Sequence, residues 1–282
     1  MSNNKIYLCA ISNIESGTCN EDCKFCTQSV KYRADIQRYR RKEIEQIVEE
    51  AKKARANKAV GFCLVTAGTG LDDKRLDYVC RAADAVTKAV PDISIIACNG
   101  IATFEQLKEL KKHGVENYNH NLETAREFYP TICTTHTWDD RYNTCLDAKK
   151  AGLHLCTGGI FGLGETQENR ISMLESIASL EPMSAPINFF HPNDALPIVK
   201  NPLSKEEAFK LVELTRSYLP NAMLMIAGGR ELMFGQDQYN VFNHGANAIV
   251  VGDYLTTGGV SAEEDIKAIT DLGYEIALEC HA

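Results

Sequence analysis

The 282-residue sequence predicts an α/β fold, a single-domain (β/α)8 barrel of the TIM type with a cysteine-bearing loop after its first strand. Two observations carry that expectation. Eight short, mostly apolar runs alternate with longer amphipathic stretches, the pattern of a parallel sheet covered by helices. No Ser/Gly-rich or Pro-rich linker interrupts the alternation. Residues 1–282 therefore read as one domain, near the upper size for a continuous core.

In chain order the strand runs are 6–12, 60–66, 93–98, 115–121, 153–157, 186–190, 222–227 and 248–252. Each is bounded by turn formers or by the start of a helical pattern. Between them 41–57, 74–89, 104–113, 138–151, 167–180 and 204–218 carry apolar residues at helical spacing. Gly114, Gly152 and Pro220 stand just beyond three of these stretches, where helices stop.

In such barrels the active site forms at the C-terminal ends of the strands. Chemistry-bearing residues collect there: a cysteine run after strand one, Cys63 in strand two, Cys98 at the end of strand three, and Cys156 and Asn188 in strands five and six. Asn119 and Asn121 close strand four, and a spacing of two puts both on one face.

Composition narrows the function. Hydrophobic residues at 44% and charged residues at 24% are ordinary for a globular protein, and no apolar run of about 18 residues is present to span a bilayer. A net charge of −8 argues against a nucleic-acid partner, which needs a basic surface. Residues 1–11 lack the basic start and apolar core of an export signal, so a cytoplasmic location is expected. In that reducing setting eleven cysteines point to metal ligation or catalysis over disulfides. One segment departs from the acidic balance: Lys31, Arg33, Arg38, Arg40, Arg41 and Lys42 read as a solvated helix start or as a docking face for an acidic electron donor.

The cysteine run is Cys19-x-x-x-Cys23-x-x-Cys26. Three thiolates so close in sequence can hold three corners of an iron–sulfur cubane and leave the fourth iron without a protein ligand. Such a vacancy is useful chemically, as the open position of a catalytic zinc is. A structural zinc site is the alternative, but it wants four ligands, usually as two separated pairs, and no second C-x-x-C pair occurs. With Phe25 before the last cysteine, the run resembles the radical S-adenosylmethionine superfamily. That resemblance implies that the amino and carboxylate groups of S-adenosylmethionine chelate the open iron of a 4Fe–4S cluster, whose electron yields a 5'-deoxyadenosyl radical.

Cys63, Cys98 and Cys156 are each compatible with simple core packing, and together with a second centre inside the barrel. The surrounding words are more specific. Gly61-Phe62-Cys63, Tyr118-Asn119-His120-Asn121-Leu122-Glu123, Cys133-Thr134-Thr135-His136-Thr137, Cys156-Thr157-Gly158-Gly159-Ile160-Phe161-Gly162-Leu163-Gly164-Glu165, Pro186-Ile187-Asn188, Ala227-Gly228-Gly229-Arg230-Glu231 and Gly252-Asp253-Tyr254-Leu255-Thr256-Thr257 together resemble the biotin synthase family, from about residue 6 to residue 257. The Gly158 to Glu165 segment fits neither a phosphate-binding loop nor a dinucleotide fingerprint. Its glycines suggest a close approach of backbone to ligand.

This resemblance implies a sulfurtransferase that inserts sulfur into dethiobiotin to form biotin, the last step of biotin biosynthesis. It implies a radical-generating 4Fe–4S cluster on Cys19, Cys23 and Cys26, and an auxiliary cluster, 2Fe–2S in the family, on Cys63, Cys98 and Cys156. Asn119, Asn121 and Asn188 fall on positions near dethiobiotin. Phe25, Asn121, Glu123, Arg141, Gly158, Gly159 and Ile160 fall on S-adenosylmethionine positions. Glu123 would accept from ribose hydroxyls and Arg141 would pair with the methionyl carboxylate; a solvated helix charge is the alternative for Arg141. The resemblance also implies a flavodoxin-type electron donor and a homodimer.

Two departures stand out. The family takes an arginine from strand seven as the fourth auxiliary ligand, and here the strand carries Met223 and Met225, so that ligand is unassigned. Cys9, Cys133, Cys145 and Cys280 are spare thiols. Glu123 stands where aspartate is usual, keeping the carboxylate and lengthening its reach. Two other readings compete: a related barrel that uses the radical without an inner cluster, and a metal-binding structural protein without turnover.

Overall fold

The computed structural model describes residues 4–198, 200 and 202–280; the few other positions of the predicted 1–282 domain lie outside the described residues. In chain order the elements are β1 (Lys5–Asn13), α1 (Ile44–Ala56), β2 (Gly61–Val65), α2 (Asp73–Ala89), β3 (Ser94–Cys98), α3 (Phe104–Lys112), β4 (Val115–Asn119), α4 (Tyr129–Ile132), α5 (Trp138–Lys150), β5 (His154–Cys156), β6 (Gly159–Phe161), α6 (Gln167–Ser179), β7 (Ser184–Phe189), α7 (Lys205–Tyr218), β8 (Met223–Ile226), α8 (Arg230–Phe234), a 3-10 helix (Gly235–Phe242), β9 (Ala248–Val250), α9 (Ala262–Asp271) and β10 (Glu275–Ile276).

The sheet runs β1-β2-β3-β4-β5-β7-β8-β9, and β9 pairs back onto β1. Every pairing in that path is parallel, and the closing register sets Tyr7, Leu8 and Cys9 against Ala248, Ile249 and Val250. The molecule is thus the predicted TIM-type barrel, and the eight predicted strands are its staves. β6 extends the β5 segment onto β7, and β10 adds to the outer edge of β1. Neither two- to three-residue strand is long enough to show a period in sequence.

Strand alternation divides the side chains. Ile6 and Leu8 of β1, Phe62 and Leu64 of β2, and Ile95 and Ala97 of β3 are buried in the main core. The intervening Cys9, Ile11, Cys63, Val65, Ile96 and Cys98 face the barrel interior and line its cavity. Helix starts are fixed locally: Thr103, Thr137, Thr166, Ser204 and Ser261 each form a capping box with the residue three places on. The last of these starts α9, which closes the circuit.

Arg230, fully buried, meets Asp265 of α9 through two nitrogens at 3.0 and 3.1 Å. Tyr239 adds a hydrogen bond to the same carboxylate at 2.8 Å. This bidentate pair ties α8 and the 3-10 helix to α9 behind the barrel.

One expectation is corrected. The basic segment from Lys31 to Lys42 does not begin a helix; α1 starts at Ile44. Its backbone is already engaged, because Ser16 and Tyr39 exchange amide hydrogen bonds at 3.0 Å and Lys42 N donates to Ile14 O at 2.9 Å. An amide paired across to another segment is unavailable to a helical turn.

Candidate active site

Cys19, Cys23 and Cys26 sit on the loop leaving β1. The loop closes on itself through Cys19 N to Gln28 O at 3.2 Å, Val30 N to Cys19 O at 2.8 Å and Cys26 N to Cys23 O at 3.0 Å. Gly17, at φ 67°, makes the turn into it, and its amide donates to Gln28 Oε1 at 2.5 Å. The segment after α4 supplies a second tether. Lys24 N donates to Ile132 O at 2.9 Å, Asp22 accepts from both Thr134 and Thr135, and Glu21 pairs with His136 at 2.8 Å. Although burial works the other way, those threonine donors hold the Asp22 carboxyl well below the usual range.

Cys19 and Cys23 are buried and Cys26 partly so. Burial pushes the Cys19 thiol up and the Cys26 thiol to about 12, so a bound cation must displace protons here. Among the described residues, the three donors close enough to share a single ion are Cys23, Cys133 and His136, not the cysteine triplet. Corners of a cubane stand farther apart than ligands of one ion, so three soft thiol donors on a rigid loop suit iron–sulfur ligation.

Beneath the loop a cavity of about 380 Å³ opens at the C-terminal ends of the strands. Phe25 from the loop reaches it, as do Cys63, Cys98, Cys156, Asn119, Asn121, Glu123, Ile160, Asn188 and Met225. Its neighbour Cys98 and burial together push the Cys63 thiol up. The inner thiols therefore form a soft, dehydrated donor set that fits an iron–sulfur centre.

The three asparagines are not equivalent. Asn188 accepts from Gly228 N at 2.8 Å and donates to Gly159 O at 3.3 Å. Asn121 accepts from Gly158 N at 3.2 Å. Asn119 donates to Cys98 Sγ at 3.6 Å, and its buried Oδ1 has no partner among the described residues. That oxygen is the one left open for a ligand N–H.

Glu123 sits at φ 68°, an unusual conformation for a residue with a side chain. Its carbonyl is fixed by Ile160 N at 2.8 Å. Oε1 lies 3.5 Å from Arg141 Nη2, whereas Oε2 is buried without a partner among the described residues. Burial raises its carboxyl against the pull of Arg141. Arg141 donates to Asn121 O and Tyr129 Oη, both at 2.8 Å. Its side chain is 12% exposed, so it is not a solvated helix charge.

Gly158 and Gly159 do not line the cavity. The close approach predicted for them is to protein: a Cβ at Gly158 would strike Pro186 O of β7, and one at Gly159 would strike Met173 and Glu123 O. The sequence reading missed the wall opposite. Thr27 of the cluster loop hydrogen-bonds Thr256 at 2.9 Å, and Asn13 holds Leu255 O at 2.9 Å, so the β9–α9 loop covers the cavity from that side. It also missed Tyr129 and gave no role to His136, whose hydrogen bond at 2.8 Å supports both Arg141 and the cluster loop. No spacing marks Tyr129, whereas the Cys133-x-x-His136 word was the signal for His136.

Residues 14–177 match the Radical SAM superfamily, and residues 186–275 match the Biotin and Thiamin Synthesis associated domain. The chain is 86% identical over 281 residues to a biotin synthase of Aliarcobacter butzleri, covering 100% of both chains. It is 63% identical to one of Nitratiruptor sp., covering 98% of this chain and 99% of that one. The chain belongs to the biotin synthase family. It is accordingly a radical S-adenosylmethionine enzyme of the sulfurtransferase type, and the superfamily implies a 4Fe–4S cluster and S-adenosylmethionine as cofactors. Among solved structures it resembles the FeFe-hydrogenase maturase HydG of Carboxydothermus hydrogenoformans, with TM-score 0.83 at 20% identity over 97% of this chain and 68% of that chain. Methylornithine synthase gives TM-score 0.82 at 20% identity over 97% and 84%. At that identity these likenesses speak for the barrel alone.

Both matched segments contribute to one closed sheet, β2 to β5 from the first and β7 to β9 largely from the second, with β1 just ahead of the first. The superfamily segment brings the cluster loop and the inner cysteines, and the associated domain brings Asn188 and Met225. Of the β8 methionines Met223 and Met225, Met225 lines the cavity. It packs in a small buried group with Cys9, Ala227, Ala248 and Val250.

Proposed function

We propose that this barrel mouth converts dethiobiotin to biotin, with Cys19, Cys23 and Cys26 holding the radical-generating cluster and Cys63, Cys98 and Cys156 an auxiliary iron–sulfur centre. The observation that carries the assignment is the shared cavity: a residue of the cluster loop, three inner thiols, open amide and carboxylate oxygens and an apolar wall face one space. When bound, the clusters and S-adenosylmethionine supply hydrogen abstraction and a sulfur source, which unactivated carbons need because acid–base chemistry does not touch them.

The chain's own residues bind and orient. Glu123 Oε2, dehydrated and unpaired, accepts from the ribose hydroxyls. Arg141, held by Tyr129 and Asn121, pairs with the methionyl carboxylate. Phe25 and Ile160 present apolar surface to the nucleoside. Asn119 offers its Oδ1 to a ureido N–H, and Asn188 frames the other side while pinning the β6 and β8 ends. Ile11, Ile96, Pro186 and Val250 pack the aliphatic part of dethiobiotin. The Thr27–Thr256 contact closes one side, keeping water from the reacting carbon.

The electron donor is an acidic, flavodoxin-type protein. Lys31, Arg33 and Arg40, exposed beside the cluster loop, form its docking face. A cytoplasmic homodimer is the expected working state. The decisive experiment is anaerobic turnover with dethiobiotin, S-adenosylmethionine and a reductant, following biotin, 5'-deoxyadenosine, iron and acid-labile sulfide together. Biotin formed with loss of inner sulfide supports the reading. 5'-Deoxyadenosine without biotin favours the related barrel without a consumed cluster, and zinc in place of iron favours the structural alternative.

A further inference from the structure

Among the described residues four cysteines, not three, line the cavity: Cys9 joins Cys63, Cys98 and Cys156. We propose that Cys9 of β1 is the fourth protein ligand of the inner iron–sulfur centre, in the place left by the absence of an arginine on β8. The inference rests on the reading that an inner centre exists, and adds to it the ligand that the sequence resemblance leaves unassigned.

The register supports it. Cys9 pairs with Gly61 and Ile11 with Cys63, so Cys9 is on the inward face of β1, one pleat below the level of Cys63. Gly61 has no side chain to cover it. A Cβ there would meet Cys9 Sγ at 2.9 Å and Ile96 Cδ1 at 3.0 Å, so the glycine leaves the sulfur its room.

The other thiols are occupied or elsewhere. Cys145 faces His120 O at 3.2 Å and Thr157 Oγ1 at 3.8 Å. Cys133 lies against Cys23, Cys80 is on α2, and Cys280 is not among the cavity-lining residues. Met225 borders Cys9 in the same buried group, but a neutral thioether binds iron less well than a thiolate and cannot offset cluster charge. In this arrangement Met225 is the apolar wall and Cys9 the donor.

The test isolates the inner centre in the full chain carrying Cys19→Ala, Cys23→Ala and Cys26→Ala, reconstituted anaerobically with iron and sulfide. Iron and acid-labile sulfide per chain, the Mössbauer spectrum and the rate of iron loss to a chelator are read for added Cys9→Ser, Cys9→Ala, Met225→Leu, Cys280→Ser and Cys98→Ala. The expected result is that both Cys9 variants change the Mössbauer parameters and release inner iron at least about 10-fold faster, while Met225→Leu and Cys280→Ser match the parent. Cys9→Ser keeps the packing volume, so an effect there is not a cavity defect. Unchanged spectra and chelator resistance in both Cys9 variants, with iron lost in Cys98→Ala, overturn the Cys9 assignment and leave the inner centre standing. Loss in Met225→Leu or Cys280→Ser instead of Cys9 overturns it as well. Retention of iron in Cys98→Ala would sink the inner centre itself.

Discussion

The sulfur atoms of Cys23 and Cys133 lie 3.6 Å apart, with the Cys23 thiol donating to Cys133. Cys133 also meets His136 Nδ1 at 3.4 Å. Donation from Cys23 first, and His136 second, pull the Cys133 thiol down to about 4 against its burial. A cluster ligand therefore has a thiolate neighbour. In the cluster-free chain the pair is poised to oxidise, the thiolate attacking an oxidant such as diamide and Cys23 completing the disulfide as diamide takes up two electrons and two protons. Treating the apo chain with diamide is expected to give a Cys23–Cys133 cross-linked peptide by mass spectrometry, absent in Cys133→Ser, and to block iron uptake until a reductant is added. Full iron uptake by the oxidised chain would show that the pair does not couple.

Cys98→Ala separates the two proposed centres. It should keep S-adenosylmethionine cleavage and abolish biotin formation, because Cys98 faces the inner cavity and not the β1 loop. Equal loss of both activities in a folded variant, judged by circular dichroism, would contradict that division.

Asn119→Ala should weaken dethiobiotin binding by about 1 kcal/mol or somewhat more, the worth of one buried hydrogen bond, with iron content unchanged. Asn188→Ala should also weaken it, but with a loss of thermal stability, since its carboxamide holds Gly228 and Gly159. Calorimetric titration beside thermal melts distinguishes the two; equal melts with unchanged affinity would remove both from the substrate site.

Arg141→Met should raise the dissociation constant for S-adenosylmethionine at least about 10-fold, through the lost carboxylate pair. Removing the cation also leaves Glu123 buried beside no positive charge, so the variant should melt lower. Tyr129→Phe, which takes away the hydrogen bonds to Arg141 Nε and to His136 but keeps the cation, should give a smaller effect in the same direction. An unchanged dissociation constant in Arg141→Met would place the methionyl carboxylate elsewhere.

Arg230→Met should destabilise the fold by about 3–5 kcal/mol, the usual cost of stranding one member of a buried pair, because Asp265 then stays buried with only Tyr239 to serve it. Chemical denaturation checks this. A loss under about 1 kcal/mol would mean that water reaches the pair.

Much of this molecule was written in local pattern. Alternating apolar runs and helical stretches specify a barrel because strand and helix periods are properties of neighbouring residues, and Cys19, Cys23 and Cys26 are legible because one short loop carries all three. The helix start expected at Lys31 to Lys42 failed because the competing partner, the backbone of Ser16 and Ile14, is remote in sequence. Tertiary closure alone decided which thiols face the cavity, that Cys9 stands with Cys63, Cys98 and Cys156 while Cys145 does not, that Cys133 meets Cys23, and that Asn119 keeps an open oxygen while Asn188 spends both ends on backbone. Those distinctions depend on registers between strands far apart along the chain, and pairing across a closed sheet is fixed by the packing of the whole barrel.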